Sequence, residues 1–194
     1  MNVITNTLNI YWYLIPLLLL PAILKSAWFK GVFGEFLVNF SLDKFLAKNQ
    51  YTLIKNVTLA TDDGAKQIGH VVVSPFGVFV IEIKNMRGWI YGDEKRKQWT
   101  QKIFKCSGTF QNPLHQNNKN TQTLASCLAL SSDQVYPVMV FIGDCTFKTK
   151  MPDNVTYARG CVKYIKTKQD IHFTAEQVNE IITVIEAGQL ANTL

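Results

Sequence analysis

The chain has 194 residues, 47% of them hydrophobic, and a formal charge of +6 from 20 basic and 14 acidic side chains. That length suits one domain with a sizeable core and a short appendage, and the modest basic excess suits an anionic partner such as nucleic acid or anionic lipid. The four cysteines, Cys106, Cys127, Cys145 and Cys161, form no CxxC pair, which argues against a zinc site and against a disulfide framework.

Residues 1–24 carry no charged side chain. Within them Leu8 to Leu24 (LNIYWYLIPLLLLPAIL) is a run of 17 residues, apolar except for Asn9, that continues through Ser26, Ala27 and Trp28. About 20 apolar residues cross a bilayer core, and Tyr11, Trp12, Tyr13 and Trp28 flank the run like an interfacial aromatic belt. A cleaved signal peptide needs basic residues ahead of its apolar stretch, and none stands there. Pro16 and Pro21 would break a soluble helix more readily than a membrane one. The expectation is an uncleaved single-pass anchor contacting the membrane over residues 8–28. Lys25 and Lys30 follow the span, so the positive-inside bias predicts the plasma (inner) membrane, the N-terminus outside and the domain in the cytoplasm. Scattered thiols without a pairing pattern agree with that compartment.

Lys30-Gly31 predicts a hinge after the anchor. From Gly34 a helix is readable, because Val38, Leu42, Phe45 and Leu46 fall at i, i+4, i+7 and i+8. Glu35 lies one turn before Val38 on the same stripe. A glutamate at a helix start is ordinarily a solvated partner of the helix dipole, but its place on the apolar stripe leaves a functional role open. Tyr51 to Leu59 and Lys66 to Val73 read as strands around a turn at Thr61-Asp62-Asp63-Gly64, and Ser74-Pro75-Phe76-Gly77 turns the chain into Val78 to Lys84. The three make an antiparallel meander. In the third strand, VFVIEIK, alternation puts Glu82 and Lys84 on one face and Phe79, Ile81 and Ile83 on the other. A carboxylate and an ammonium at the end of an apolar run are costly to bury unless paired or engaged in chemistry.

Gly88 to Tyr91 and Gln98 to Phe104 read as extensions of that sheet, with Asp93 to Lys97 a charged turn between them. Asn112-Pro113 begins a helix, since Asn caps and Pro fits the first turn; Leu114, Thr121, Leu124 and Leu128 give its stripe. Val135 to Ile142 is a buried strand in which Pro137 suggests an end or edge position. Val155 to Tyr157 and Cys161 to Ile165 read as short strands. Thr174-Ala175-Glu176-Gln177 is a capping box, and Val178, Ile181, Ile182 and Ile185 stripe the final helix. This order predicts an α/β sandwich around a mixed sheet.

Several of these segments stand together in a known order. Gly34-Glu35 is followed by Gln67-Ile68-Gly69-His70-Val71-Val72-Val73, then by Gly77-Val78-Phe79-Val80-Ile81-Glu82-Ile83-Lys84-Asn85. Gly88-Trp89-Ile90, Trp99 and Gln111-Asn112-Pro113-Leu114 with Gln116 come after. From about Gly34 to Leu130 the chain resembles the nuclease-related domain, or NERD, family, which is itself similar to the PD-(D/E)xK nucleases. The resemblance implies a restriction-endonuclease-like three-layer core with a mixed central sheet, here preceded by one transmembrane helix. Residues 1–30 would then be the anchor and a short linker, 31–145 the nuclease-like domain, and 146–194 the strands and helix that complete the fold. Carried over residue by residue, Glu35 would be a helix carboxylate that helps position a metal or water, and Glu82 a direct metal ligand. Lys84 would orient water or stabilise the phosphate. Gln67 matches a polar position near the site, and Asn112 and Gln116 match an NPLxQ segment whose role is capping or substrate contact. The implied cofactor is Mg²⁺ or Mn²⁺.

The departure is Gly69. The family usually reads QIDH there, and the Asp corresponds to the first carboxylate of the PD-(D/E)xK signature. Mg²⁺ takes oxygen ligands from one or two carboxylates, waters and phosphates, and glycine supplies no side-chain oxygen. Asp63 lies about 20 Å back along an extended strand, and His70 points to the opposite sheet face. Two functions therefore stay open. One is a membrane-anchored, divalent-metal-dependent phosphodiester hydrolase acting on DNA or RNA. The other is a catalytically inactive nucleic-acid-binding or protein-scaffold module at the membrane, needing no cofactor, in which Glu82 and Lys84 are a remnant salt bridge. Trp89, Trp99, Phe104 and Phe110 are candidates for base stacking or for the core. Lys95, Arg96, Lys97, Lys102 and Lys105 are candidates for phosphate contact or for a solvated surface.

Overall fold

The computed structural model describes residues 20, 26–61 and 64–190. Most of the expected anchor (residues 8–28) and Asp62-Asp63 of the expected turn lie outside the described residues. Among the described residues no helix is long and apolar enough to cross a membrane.

The first described helix, α1 (Ala27–Phe45), starts well before Gly34, because the Ser26 hydroxyl accepts the Phe29 N–H at 3.1 Å and caps it. The expected hinge at Lys30-Gly31 is therefore helix interior. Val38, Leu42 and Leu46 are buried as their spacing requires, whereas Phe45 is 52% exposed. After α1 come β1 (Thr52–Thr61), β2 (Gly64–Ser74) and β3 (Gly77–Asn85), the antiparallel meander. β7 (Val135–Ile142) then lies parallel along β3, and β9 (Val155–Tyr157) parallel along β7. The sheet order is β1-β2-β3-β7-β9, a mixed sheet as expected.

β7 is interior rather than an edge. Pro137 is tolerated because β9 pairs only from Met139 onward, so one side of β7 has no ladder partner where the proline stands. Since β7 occupies the free edge of β3 from Val78 to Asn85, the next strands cannot extend that sheet. β4 (Gly88–Tyr91), β5 (Gln98–Ile103), β6 (Cys106–Gln111) and β8 (Cys145–Phe147) instead form a second sheet in the order β6-β5-β4-β8.

Helices cover both faces of the first sheet. On one side Val38 and Leu42 of α1 pack with Val72, Phe79, Ile81, Val138 and Val140, together with Cys161, Val162 and Ile165 of α3 (Ala158–Lys166). On the other, Leu124 and Ala125 of α2 (Pro113–Cys127) and Ile181 and Ile185 of α4 (Ala175–Leu190) pack on Val71, Val73, Val78 and Val80. α3 corrects the strand expected over Cys161 to Ile165. A strand would have sent Lys163 into the core beside Cys161 and Ile165, whereas a helix buries Cys161, Val162 and Ile165 on one side and leaves Lys163 exposed. The capping box of α4 forms in full: the Thr174 N–H donates to Gln177 Oε1 at 2.9 Å and the Gln177 N–H to Thr174 Oγ1 at 3.3 Å. Thr174→Ala is expected to cost about 1 kcal/mol of stability, measured by denaturant unfolding.

Candidate functional site

The site lies where two strands part. β2 pairs with β3 only between His70↔Ile81 and Ser74↔Gly77. Upstream, Lys66 and Gln67 pair with β1 alone, while Glu82 to Asn85 pair with β7 alone. Gly69 stands at the crotch of this fork with φ +110°, opposite a register irregularity in β1 where Asn56 has φ +52°. Side chains other than glycine rarely adopt such a φ, and a Cβ at Gly69 would lie 2.7 Å from the Ile81 carbonyl oxygen. The fork opens a cavity of about 410 Å³, reached from both faces of the sheet.

Glu35, Gln67, Gly69, Glu82 and Gln116 all line this cavity. Glu35 arrives from α1, which lies close over the ends of β3 and β7. Gly31 and Gly34 permit this, since a Cβ on either would meet Asn85 or Ile142 within 2.9 Å. Glu82 arrives from the other face, in step with Val78 and Val80. Its Oε2 is buried with no hydrogen-bond partner among the described residues. Burial pushes the Glu82 carboxyl above its ordinary pKa, and the Lys84 ammonium pulls it partly back. Gln116 stands one helical turn from Asn120, to which its amide donates at 3.1 Å.

Two expected residues stand elsewhere. Lys84 is outside the cavity wall, with its ammonium 5.6 Å from the centroid of the Phe110 ring. Asn112 is fully buried and works as a clasp. Its Oδ1 accepts the Leu114 N–H at 3.0 Å, while its Nδ2 donates to the carbonyls of Asp93, Glu94 and Arg96 at 3.3, 3.2 and 2.7 Å. It caps α2 and ties down the charged turn, so of its two expected roles the structure places it in the structural one.

The cavity also takes residues to which sequence reasoning gave no role there: Asn56, His70, Asn85 and Asn120. His70 sits on the α1 face with its pairing partner Ile81, as alternation predicts. It still reaches the site, because that face of the fork is where Glu35 enters. His70 Nδ1 accepts the Asn56 N–H at 3.2 Å, which leaves the proton of a neutral ring on Nε2, 3.8 Å from Glu35 Oε1. Burial lowers the His70 pKa, the Glu35 carboxylate opposes that fall and Lys55 adds to it. His70 stood inside the quoted motif, so a signal existed. Asn56 had none, because a left-handed bulge residue is set by strand pairing.

The fit of a divalent cation follows from the donor set. Among the described residues no three His, Cys, Asp or Glu side chains gather into a ready cage. Mg²⁺ and Mn²⁺ do not require one, since one or two carboxylates suffice when waters and substrate oxygens complete the shell. Glu82, with a buried oxygen that has no hydrogen-bond partner among the described residues, and Glu35, half-exposed, are the two carboxylates in the cavity lining that such a site would draw on.

Of the aromatic candidates, Trp99 is buried, stacked on Phe141 with its indole N–H donating to the Asp93 carbonyl. Phe110 packs against Trp99. Trp89 and Phe104 are exposed, and the Lys148 and Lys102 ammonium groups lie 4.7 and 5.8 Å from the Trp89 ring centroid.

The model of the nuclease-related domain (NERD) family matches residues 30–142. An uncharacterized protein of Bacillus anthracis is 37% identical over 168 residues, which cover 82% of this chain and 77% of that protein. The matched range begins in α1 and ends with β7, so it contains every residue that lines the cavity.

Proposed function

Because the chain belongs to the nuclease-related domain family, we propose that it is a nuclease-like phosphodiester hydrolase acting on nucleic acid, with a divalent cation held by Glu82 and Glu35. One observation carries the reading: Glu82 presents an unpartnered, buried carboxylate oxygen to a cavity that Glu35 also lines. Such a group is costly to bury as the anion unless a proton or a cation neutralises it, and the cavity gives a cation access to it. A helix-flanked mixed sheet with the site at a strand fork is consistent with a restriction-endonuclease-like core.

A bound Mg²⁺ or Mn²⁺ would supply Lewis acidity toward a phosphate oxygen. The chain's own groups do the rest. Glu82 and Glu35 would hold the cation, and their place in the cavity lining sets where it sits. Lys84, whose ammonium already acts on the Glu82 carboxyl from its place by Phe110, supplies positive charge at that side of the site, where charge would gather on the phosphate. His70 turns its Nε2 toward Glu35 Oε1, 3.8 Å away, an electrostatic contact longer than a hydrogen bond. Gln67, Gln116 and Asn120 offer amide hydrogen bonds to sugar or phosphate, and exposed Trp89, flanked by two lysines, offers a stacking platform. Residues 8–28, as a membrane segment, would hold the domain at the inner face of the membrane.

A second reading is a binding module without catalysis. Gly69 favours it, since that position adds no ligand to the two carboxylates. The full chain, incubated with labelled single- and double-stranded DNA and RNA, separates the two. Cleavage in Mn²⁺ that stops on chelation and falls about 100-fold in Lys84→Ala is the expected result. Absence of cleavage in either metal, with binding whose log affinity falls as log salt rises, would move the conclusion to the second reading.

A further inference from the structure

Helix α1 is apolar on both sides. Its inward side, with Gly34, Val38, Ser41 and Leu42, is buried on the sheet. The side opposite carries Phe29, Phe33, Phe36 and Phe40, at i, i+4, i+7 and i+11. Their rings follow one another with centroids 6.0, 6.4 and 6.1 Å apart. Phe33, Phe36 and Phe40 are 49, 59 and 46% exposed, and Val32, Leu37 and Phe45 beside them are exposed too. A surface helix keeps its outer face polar, and one that is apolar all round belongs in a core or against a bilayer. A contiguous apolar patch of this kind marks a contact surface.

The rim of the patch is basic. Arg159, Lys163 and Lys166 of α3 line a groove with Leu37, Phe40 and Phe45, and the Lys44 ammonium lies 5.3 Å from the Phe40 ring centroid. The acidic residue on this part of α1, Asp43, is paired with Lys55 at 3.4 Å. We propose that this face of α1 lies on an anionic phospholipid bilayer, its phenylalanines among the acyl chains and the α3 cations at the phosphates. Apolar rings beside Lys and Arg are the pattern of interfacial membrane helices. The inference rests on the reading of residues 8–28 as a membrane segment: α1 begins at the end of that segment, just beyond the uncharged residues 1–24, and continues its apolar character. A second copy of the chain is a poorer occupant, because self-pairing would set the cationic rims against one another.

The test uses the full chain in vesicles of phosphatidylcholine and phosphatidylglycerol. A photoreactive p-benzoylphenylalanine replaces Phe36 or Phe40, or Val184 on the outer face of α4 as a control. Irradiation is expected to give a phospholipid adduct by mass at 36 and 40 and none at 184, with a severalfold lower yield when phosphatidylglycerol is omitted. A dimer-sized product, a link to residues 1–25, no adduct, an equal adduct at 184, or a yield indifferent to lipid charge would each overturn the proposal. Alkaline extraction of the same membranes reports separately on the anchor. Retention of the chain without adducts at 36 and 40 sinks the inference and leaves the anchor standing. Release of the chain into the supernatant sinks the anchor and the inference together.

Discussion

Gly69→Asp is expected to destabilise the fold by about 2–4 kcal/mol and to leave cleavage no faster than in the unaltered chain. On the sequence resemblance alone the substitution reads as a repair, since it would supply the carboxylate expected at that position. The backbone opposes it. At φ +110° an L side chain is strained, and its Cβ would press on the Ile81 carbonyl oxygen at 2.7 Å, a contact with backbone that cannot swing aside. To accommodate aspartate the β2 strand would have to straighten, which would disturb the bulge at Asn56 and the Asn56–His70 hydrogen bond that orients the imidazole. Gly69→Ala carries the same Cβ without the carboxylate and is expected to show most of the same loss in denaturant unfolding. An aspartate variant as stable as its parent and faster on nucleic acid would show that β2 re-registers freely, and the fork would then not be a fixed feature of the fold.

The second large effect is at Glu82. Glu82→Gln is expected to lower cleavage about 1,000-fold while raising stability at neutral pH. The sign follows from its titration. Burial raises the carboxyl pKa in the folded chain, so between the unfolded value and that raised value the folded state holds more protons. Stability therefore falls as pH climbs through that window, and the penalty is complete above the folded pKa. Glutamine carries no charge and escapes the penalty. The stability difference between parent and variant should be largest near neutrality and vanish below the ordinary carboxylate range. Mn²⁺ should raise the unfolding midpoint of the parent and leave that of the variant unchanged. A variant less stable than the parent near neutrality, or one stabilised equally by Mn²⁺, would remove Glu82 from the proposed cation site.

Much of the site was legible before folding because it is written in short-range chemistry. Alternation in VFVIEIK set Glu82 apart from Ile81 and Ile83, and the helical stripe brought Glu35 into line with Val38; both side chains reach one cavity. Lys84 and Asn112 show the limit of that logic. The motif placed them near the chemistry, but Lys84 rests over Phe110 and Asn112 clasps three carbonyls of the Asp93 to Lys97 turn. A side chain's reach depends on neighbours far away in sequence. The strand expected at Cys161 to Ile165 failed for a related reason. Five residues of mixed polarity fit either period, and the core against α1 selected the helix.

Residue order alone was enough for the family, the mixed α/β architecture and the carboxylates of the candidate site, because periodicity and motif spacing are local properties of a chain. Three things waited for the tertiary structure. Strand pairing decided that β2 and β3 part at Gly69, where the positive φ and the nearby Ile81 carbonyl leave no room for a side chain. The occupied edge of β3 decided that β4 and β5 build a second sheet. The packing of α1 decided that Phe45 leaves the inward stripe on which Val38, Leu42 and Leu46 are buried, and it exposed on the opposite side a phenylalanine face to which that stripe gave no role.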